Sequence, residues 1–300
     1  MAQIRANGID IEYESFGKES DPAILLIMGF AASMTVWPDR LCAGLAAKGF
    51  RVIRFDNRDI GKSQHLAALG MPNIGEVIGL AVQGKPIAAP YLLDDMAADA
   101  VELLRALGID NAHIVGASMG GMIAQIVAAK YHGRTRSLVS IMSTTGRRDL
   151  PRGKPEAFAA ITRPPQSTSR EDRIEAGILA WRVIGSPGYP RSDEELRAQV
   201  TRQVDRAPYD PAGIARQFVA VTASPPRNDI LGDVRCPALV IHGGDDPLVP
   251  VEAGQDTAAS IPGCELVVIP GMGHDFPDAL VPILLETVGT FAQKAEQGHR

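Results

Sequence analysis

The segment Gly116-Ala117-Ser118-Met119-Gly120 constrains the fold of this chain more than any other stretch. It reads G-x-S-x-G. An apolar strand-like run, Ala112-His113-Ile114-Val115, precedes it, and a helix-like run from Met119 to Tyr131 follows, with apolar residues at helical spacing and no proline. A serine at so tight a strand-to-helix turn sits on strained backbone with its hydroxyl projecting outward. The next amide, that of Met119, is then aimed where an oxyanion would develop. The pentapeptide alone is a weak signal; the strand before it and the helix after it carry the inference.

The rest of the chain repeats the same alternation. Residues 1–16 alternate like a hairpin that turns at Asn7-Gly8, and Ile24 to Met28 is a continuous apolar run, as in a strand buried on both faces. Helix-like sequence from Trp37 to Lys48 leads to a strand at Arg51–Phe55 and a polar turn at Asp56–Ser63. Residues 64–90, rich in Gly, Pro and Ala, read as a long connection. Asp94 to Leu107 is an amphipathic helix stopped by Gly108, and a strand is expected around Ser137–Met142. After residue 228 the alternation resumes: strand Ala238–Ile241, helix Val251–Ser260, strand Glu265–Ile269, helix Pro277–Ala295. Alternating units of this kind predict an α/β protein with a mostly parallel central sheet flanked by helices.

Residues 145–228 interrupt the pattern. Prolines and arginines are frequent there and the helical segments short. The stretch carries 14 Lys/Arg against 10 Asp/Glu, a balance of +4, whereas the remainder of the chain stands at −9. We therefore expect a core of residues 1–144 and 229–300, with 145–228 a helical cap inserted over the carboxyl ends of the strands, where such sheets bind ligands.

Composition excludes several classes. The net charge of −5 argues against a nucleic-acid partner. The longest apolar stretch, Ala23 to Met28, is too short to span a bilayer, and no charged n-region with an apolar h-region opens the chain, so a cytoplasmic location is expected. Cys42, Cys236 and Cys264 are odd in number and far apart, which fits buried thiols in a reducing compartment rather than disulfides or a zinc site. The oligomeric state is left open.

A serine nucleophile needs a base, and the base needs an acid to orient it. Among six histidines, His274 in Pro270-Gly271-Met272-Gly273-His274 is the candidate, lying in a glycine-rich loop just after a strand. His65 and His299 fall in polar segments, His113 starts a strand, His132 ends a helix and His242 points into the Gly243-Gly244 turn. The acid lies at Asp245 or Asp246. Two adjacent carboxylates cannot both face His274, so the other caps the following helix or faces solvent.

These residues together resemble the α/β-hydrolase fold over almost the full length of the chain. The order Ser118, Asp246, His274 is that family's order. Its G-x-x-D-x-x-V-P motif places the acid on Asp246, four residues before Pro250, and Ser143-Thr144-Thr145 offers no carboxylate at the alternative position. The turn Asp56-Asn57-Arg58-Asp59-Ile60-Gly61-Lys62-Ser63 is similar to the family's D-x-R-G-x-G-x-S, with Asp59 where glycine is usual. Asp56 and Asp59 read as parts of a structural turn rather than as metal ligands. The loop Met28-Gly29-Phe30 stands where the family has H-G-x, and the resemblance implies that the Phe30 amide joins that of Met119 in an oxyanion hole. Leu26 to Phe30, Trp37-Pro38-Asp39, Val52 to Ser63 and Ile269 to His274 further resemble aclacinomycin methylesterase-like hydrolases.

The expected activity is hydrolysis of a carboxylic ester of a medium-sized apolar small molecule, a methyl ester being one candidate, with no metal or organic cofactor. Perhydrolases, lactonases, acyltransferases and carbon–carbon bond hydrolases use the same constellation, and a ligand receptor could retain it. A serine at the elbow argues against dehalogenases and epoxide hydrolases, which place an aspartate there. Met28, Met34, Trp181 and Tyr189 are the candidate pocket residues, with Phe158 and Phe218 as further cap aromatics. The cap arginines are expected to pair with carboxylates on solvated helix faces.

Overall fold

The computed structural model describes residues 1–298; His299 lies outside them. Eight strands form one sheet: β1 (Ala2–Ala6), β2 (Ile9–Phe16), β3 (Ala23–Ile27), β4 (Arg51–Phe55), β5 (Ala112–Ala117), β6 (Thr135–Ile141), β7 (Ala238–Gly243) and β8 (Glu265–Ile269). Their spatial order is β1-β2-β4-β3-β5-β6-β7-β8. The β1–β2 and β2–β4 pairs are antiparallel and every later pair is parallel. Asn7 and Gly8 both have positive φ, 48° and 75°, as a two-residue hairpin matching the twist of its strands requires.

The helices are α1 (Asp39–Ala47), α2 (Ile74–Val82), α3 (Leu93–Ala106), α4 (Met119–Lys130), α5 (Pro155–Thr162), α6 (Arg170–Ile184), α7 (Asp193–Arg206), α8 (Pro211–Ala223), α9 (Asn228–Leu231), α10 (Val251–Ser260) and α11 (Val281–Gln297). Alternate residues of each central strand feed opposite layers. Leu25 and Ile27 of β3 join a core completed by α3 and α4. Ile24 and Leu26 join a second core completed by α1 and α11. Burial on both faces explains why β3 is a continuous apolar run and why β5 and β7 are mostly apolar rather than alternating.

Two features depart from the sequence reading. The connection at 64–90 contains a helix, α2, whose N-cap Asn73 accepts the Glu76 amide. Pro72, Gly75 and Gly79, all poor helix formers, hid it. It packs on α8, so this segment joins the helices between β6 and β7. Those helices are also longer than expected: α6, α7 and α8 run 15, 14 and 13 residues, each opened by a side-chain cap from Ser169, Ser192 or Asp210. No helix among the described residues is long and apolar enough to cross a membrane. The three cysteines are free thiols; burial pushes Cys42 and Cys264 up to about 12 and Cys236 to about 11.

Candidate active site

The candidate residues gather at the carboxyl ends of the parallel strands. Ser118 follows β5, Asp246 follows β7, His274 follows β8, and the Met28–Phe30 loop follows β3. Ser118 has φ 55° and ψ −121°, a backbone few non-glycine residues adopt. Its carbonyl accepts from the Gly121 and Met122 amides. The turn is tight enough that a Cβ on Gly120 would lie 2.0 Å from the Ile27 carbonyl oxygen, and one on Gly29 3.0 Å from the Ser118 Cβ. The elbow and the β3 loop are thus in direct contact. Met119 is the first residue of α4, where a helix leaves its amides without an intrahelical partner.

The adjacent aspartates divide their work. Asp246 is buried, its Oδ1 accepts the Leu248 and Val249 amides at 2.8 and 2.9 Å, and its Oδ2 meets His274 Nδ1 at 2.7 Å. Asp245 is exposed, and its Oδ2 accepts the Gly271 amide at 2.8 Å. It neither caps a helix nor simply faces solvent: it ties down the loop that carries His274. A carboxylate can only accept, so His274 holds its proton on Nδ1 and leaves Nε2 basic. Ser118 and His274 line one cavity of about 220 Å³.

His242 does not point into the Gly243-Gly244 turn. It is buried in β7 with Nε2 donating to the Val249 carbonyl at 2.8 Å and lying 3.9 Å from Asp246 Oδ2. Burial pushes its pKa below the usual value, while the Val249 carbonyl and Asp246 pull the other way. A neutral neighbour leaves the Asp246 charge to His274. His65 is half-buried, and its Nδ1 meets Asp210 Oδ2 at 2.7 Å. His113 is buried between Ser137 and Glu296, and His132 begins the turn after α4.

Of the expected pocket residues, Met28 and Trp181 line the cavity with Phe30. Met34 is fully buried outside it, its amide donating to Asp56 Oδ1 at 2.7 Å. Tyr189 lies against Gly271 and lines a neighbouring cavity that does not include Ser118. Phe158 and Phe218 line a third, apolar cavity of about 480 Å³ that shares Phe30, Ala31 and Ile161 with the first.

Sequence reasoning missed a set of inward-reaching arginines. Exposed pairs such as Arg170–Asp205 and Arg197–Glu171 follow the expectation. Arg206, Arg216 and Arg191 instead reach the sheet-end loops. Arg206 meets Asp56 at 2.5 Å, and the fully buried Arg216 grips Asp59 through two nitrogens at 2.7 and 2.8 Å. Asp59 also accepts from Tyr91 Oη and the Leu66 amide. Asp59, His65 and Asp210 cluster closely enough to suggest a metal, but the Arg216 guanidinium already serves as the cation for both carboxylates. Asp275, directly after His274, is held by Arg191 at 2.6 Å and by the amide and hydroxyl of Ser186. Burial raises its pKa against the pull of Arg191. The signal available was Asp59 in a glycine position: its φ is 68°, so the turn keeps the left-handed backbone and adds a carboxylate that needs a cation.

Comparison with known proteins identifies the family. Residues 22–278 match the alpha/beta hydrolase fold family, and the chain belongs to it. Rhodomycin D methylesterase DauP of Streptomyces sp. (strain C5) is 27% identical over 288 residues, covering 89% of each chain. The putative non-heme bromoperoxidase BpoC of Mycobacterium tuberculosis is 27% identical over 284 residues, covering 89% of this chain and 91% of that one. The crystal structure of an enol-lactonase from Burkholderia xenovorans LB400 superposes with a TM-score of 0.73 at 21% identity, covering 97% of this chain and all of the other, a likeness of fold alone.

Proposed function

We propose that the protein is a serine hydrolase of carboxylic esters that works through an acyl-enzyme. The observation that carries the reading is the 2.7 Å contact between His274 Nδ1 and the buried Asp246, with His274 and Ser118 facing one cavity. Ser118 Oγ adds to the ester carbonyl and its proton passes to His274 Nε2. The carbonyl electron pair becomes an oxyanion held by the Phe30 and Met119 amides. Collapse expels the alcohol, which takes the proton from Nε2. Water, deprotonated by the same nitrogen, then releases the acid. No step calls for a metal or an organic cofactor. The methylesterase relatives support an ester as the substrate.

Residues 145–228 serve as the cap, over a core of 1–144 and 229–300. The catalytic cavity is walled by apolar side chains, among them Val36, Met142, Ile161 and Leu248, and the larger apolar cavity begins at Phe30 and Ile161. That favours an ester with a medium-sized apolar limb.

The test is hydrolysis of p-nitrophenyl esters of increasing acyl length by the wild type and by Ser118→Ala. The expected result is a rate maximum beyond acetate and a fall of about 10⁴-fold or more in the variant. A folded wild type inactive on every ester would refute the reading. Supplying acetate and hydrogen peroxide instead tests perhydrolysis: peracid formed faster than ester is cleaved would make the bromoperoxidase-type chemistry the principal one.

A further inference from the structure

We infer that Gln217, on cap helix α8, is a positioning residue that holds the oxyanion loop in its working shape, so that cap docking completes the oxyanion hole. Gln217 is fully buried. Its Oε1 accepts from the Ala31 amide at 3.0 Å and its Nε2 donates to the Arg58 carbonyl at 2.8 Å. Reversing the side-chain amide would set donor against donor and acceptor against acceptor, so the orientation is fixed by its two partners. Both partners are backbone groups of the core, one in the β3 loop and one in the Asp56–Ser63 turn.

The place it holds is special. Ala31 has φ 53°, a left-handed backbone that is unfavourable for alanine and persists where the surroundings enforce it. Three residues earlier the Met28 carbonyl accepts from Asn57 Nδ2 at 2.8 Å. The Gly29–Phe30 peptide, whose N–H faces the oxyanion in the proposed mechanism, is thus suspended between two amide side chains. Asn57 belongs to the core and Gln217 to the cap. Between them Gly29 packs closely on Ser118, since a Cβ there would lie 3.0 Å from the serine Cβ. Releasing the Ala31 end lets the peptide turn, and an oxyanion donor acts only when it is preorganised toward the position the charge will occupy. The other buried tethers, Arg206 to Asp56 and Arg216 to Asp59, hold the cap near this loop but donate to carboxylates, not to the loop itself.

This inference rests on the serine-hydrolase reading, and the experiment separates the two. Gln217→Met keeps the length of the side chain and removes both hydrogen bonds; Arg206→Met loosens the cap at a tether that does not touch the loop. Each is compared with wild type and Ser118→Ala in ester hydrolysis, in thermal unfolding, and in affinity for a trifluoromethyl ketone. Ser118 Oγ adds to that ketone's carbonyl, the hydroxyl proton passes to His274, and the carbonyl oxygen becomes the oxyanion. For folded Gln217→Met, kcat is expected to fall about 10- to 100-fold with KM little changed, and ketone affinity to fall by a similar factor. Arg206→Met is expected to leave ketone affinity within a few-fold of wild type. Wild-type kcat and ketone affinity in Gln217→Met would overturn the inference, as would equal losses in both variants. Should Gln217→Met not fold, Gln217→Leu is put through the same ketone assay, with the same two outcomes for and against. A wild type that neither hydrolyses esters nor binds the ketone would instead remove the reading on which the inference rests.

Discussion

At Asp246 one carboxylate does three things: it takes two amides of its own turn, meets His274, and lies beside a second histidine. That second histidine makes stability depend on pH. Burial depresses the pKa of His242 in the folded protein, so below the unfolded value near 6.5 the unfolded chain takes up a proton that the folded chain refuses. The contribution is therefore intact above pH ~6.5 and lost as pH falls toward the folded value. Urea unfolding at pH 7.5 and 5.5 should show wild type losing more stability across that interval than His242→Gln, which cannot titrate. Equal losses would mean that His242 takes no part in acid sensitivity.

Among elements, α8 and the turn it covers are bound by charge. Arg216 and Asp59 are both fully buried, and removing only the cation strands a carboxylate without water. Arg216→Met should cost about 3–5 kcal/mol in urea unfolding. Asp59→Gly/Arg216→Met should recover roughly half of that or more, because the double change removes the stranded charge and gives a backbone at φ 68° the residue that tolerates it. A double variant no more stable than the single one would show that the pair is not coupled. The elbow is less forgiving still. Side chains added at its glycines would meet backbone, which cannot shift as a flexible side chain can.

Over the whole molecule, residues 145–228, which we propose as the cap, have little core of their own. Their separate apolar cluster comprises only Ile174, Ile178 and Val200 among buried residues, with Trp181 and Val204 against it. A region that buries so little apolar surface should not fold alone. Residues 145–228 expressed separately should give the circular dichroism of a largely unfolded chain, and cooperative thermal unfolding of that fragment would contradict the dependence on core contacts through Arg191, Arg206, Arg216 and Gln217.

The sequence by itself determined the sheet, the elbow and the pairing of His274 with Asp246. The first two depend on local rules: buried parallel strands are mostly apolar, and a strand-to-helix turn this tight needs its glycines; which of two neighbouring aspartates turns inward followed from the resemblance to the family motif. Only the tertiary structure decided where the polar side chains of residues 145–228 point. Arg206 and Arg197 lie on one helix, yet the first meets a buried carboxylate and the second exposed glutamates. Met34 and Tyr189 lie outside the cavity shared by Ser118 and His274, one fully buried with its amide donating to Asp56, the other seated on Gly271. A helix's own periodicity says which residues share a face, but what that face meets is set by chain distant in sequence. Gln217 is the extreme case: nothing in the sequence of α8 marks it, because both of its partners are backbone groups of the core.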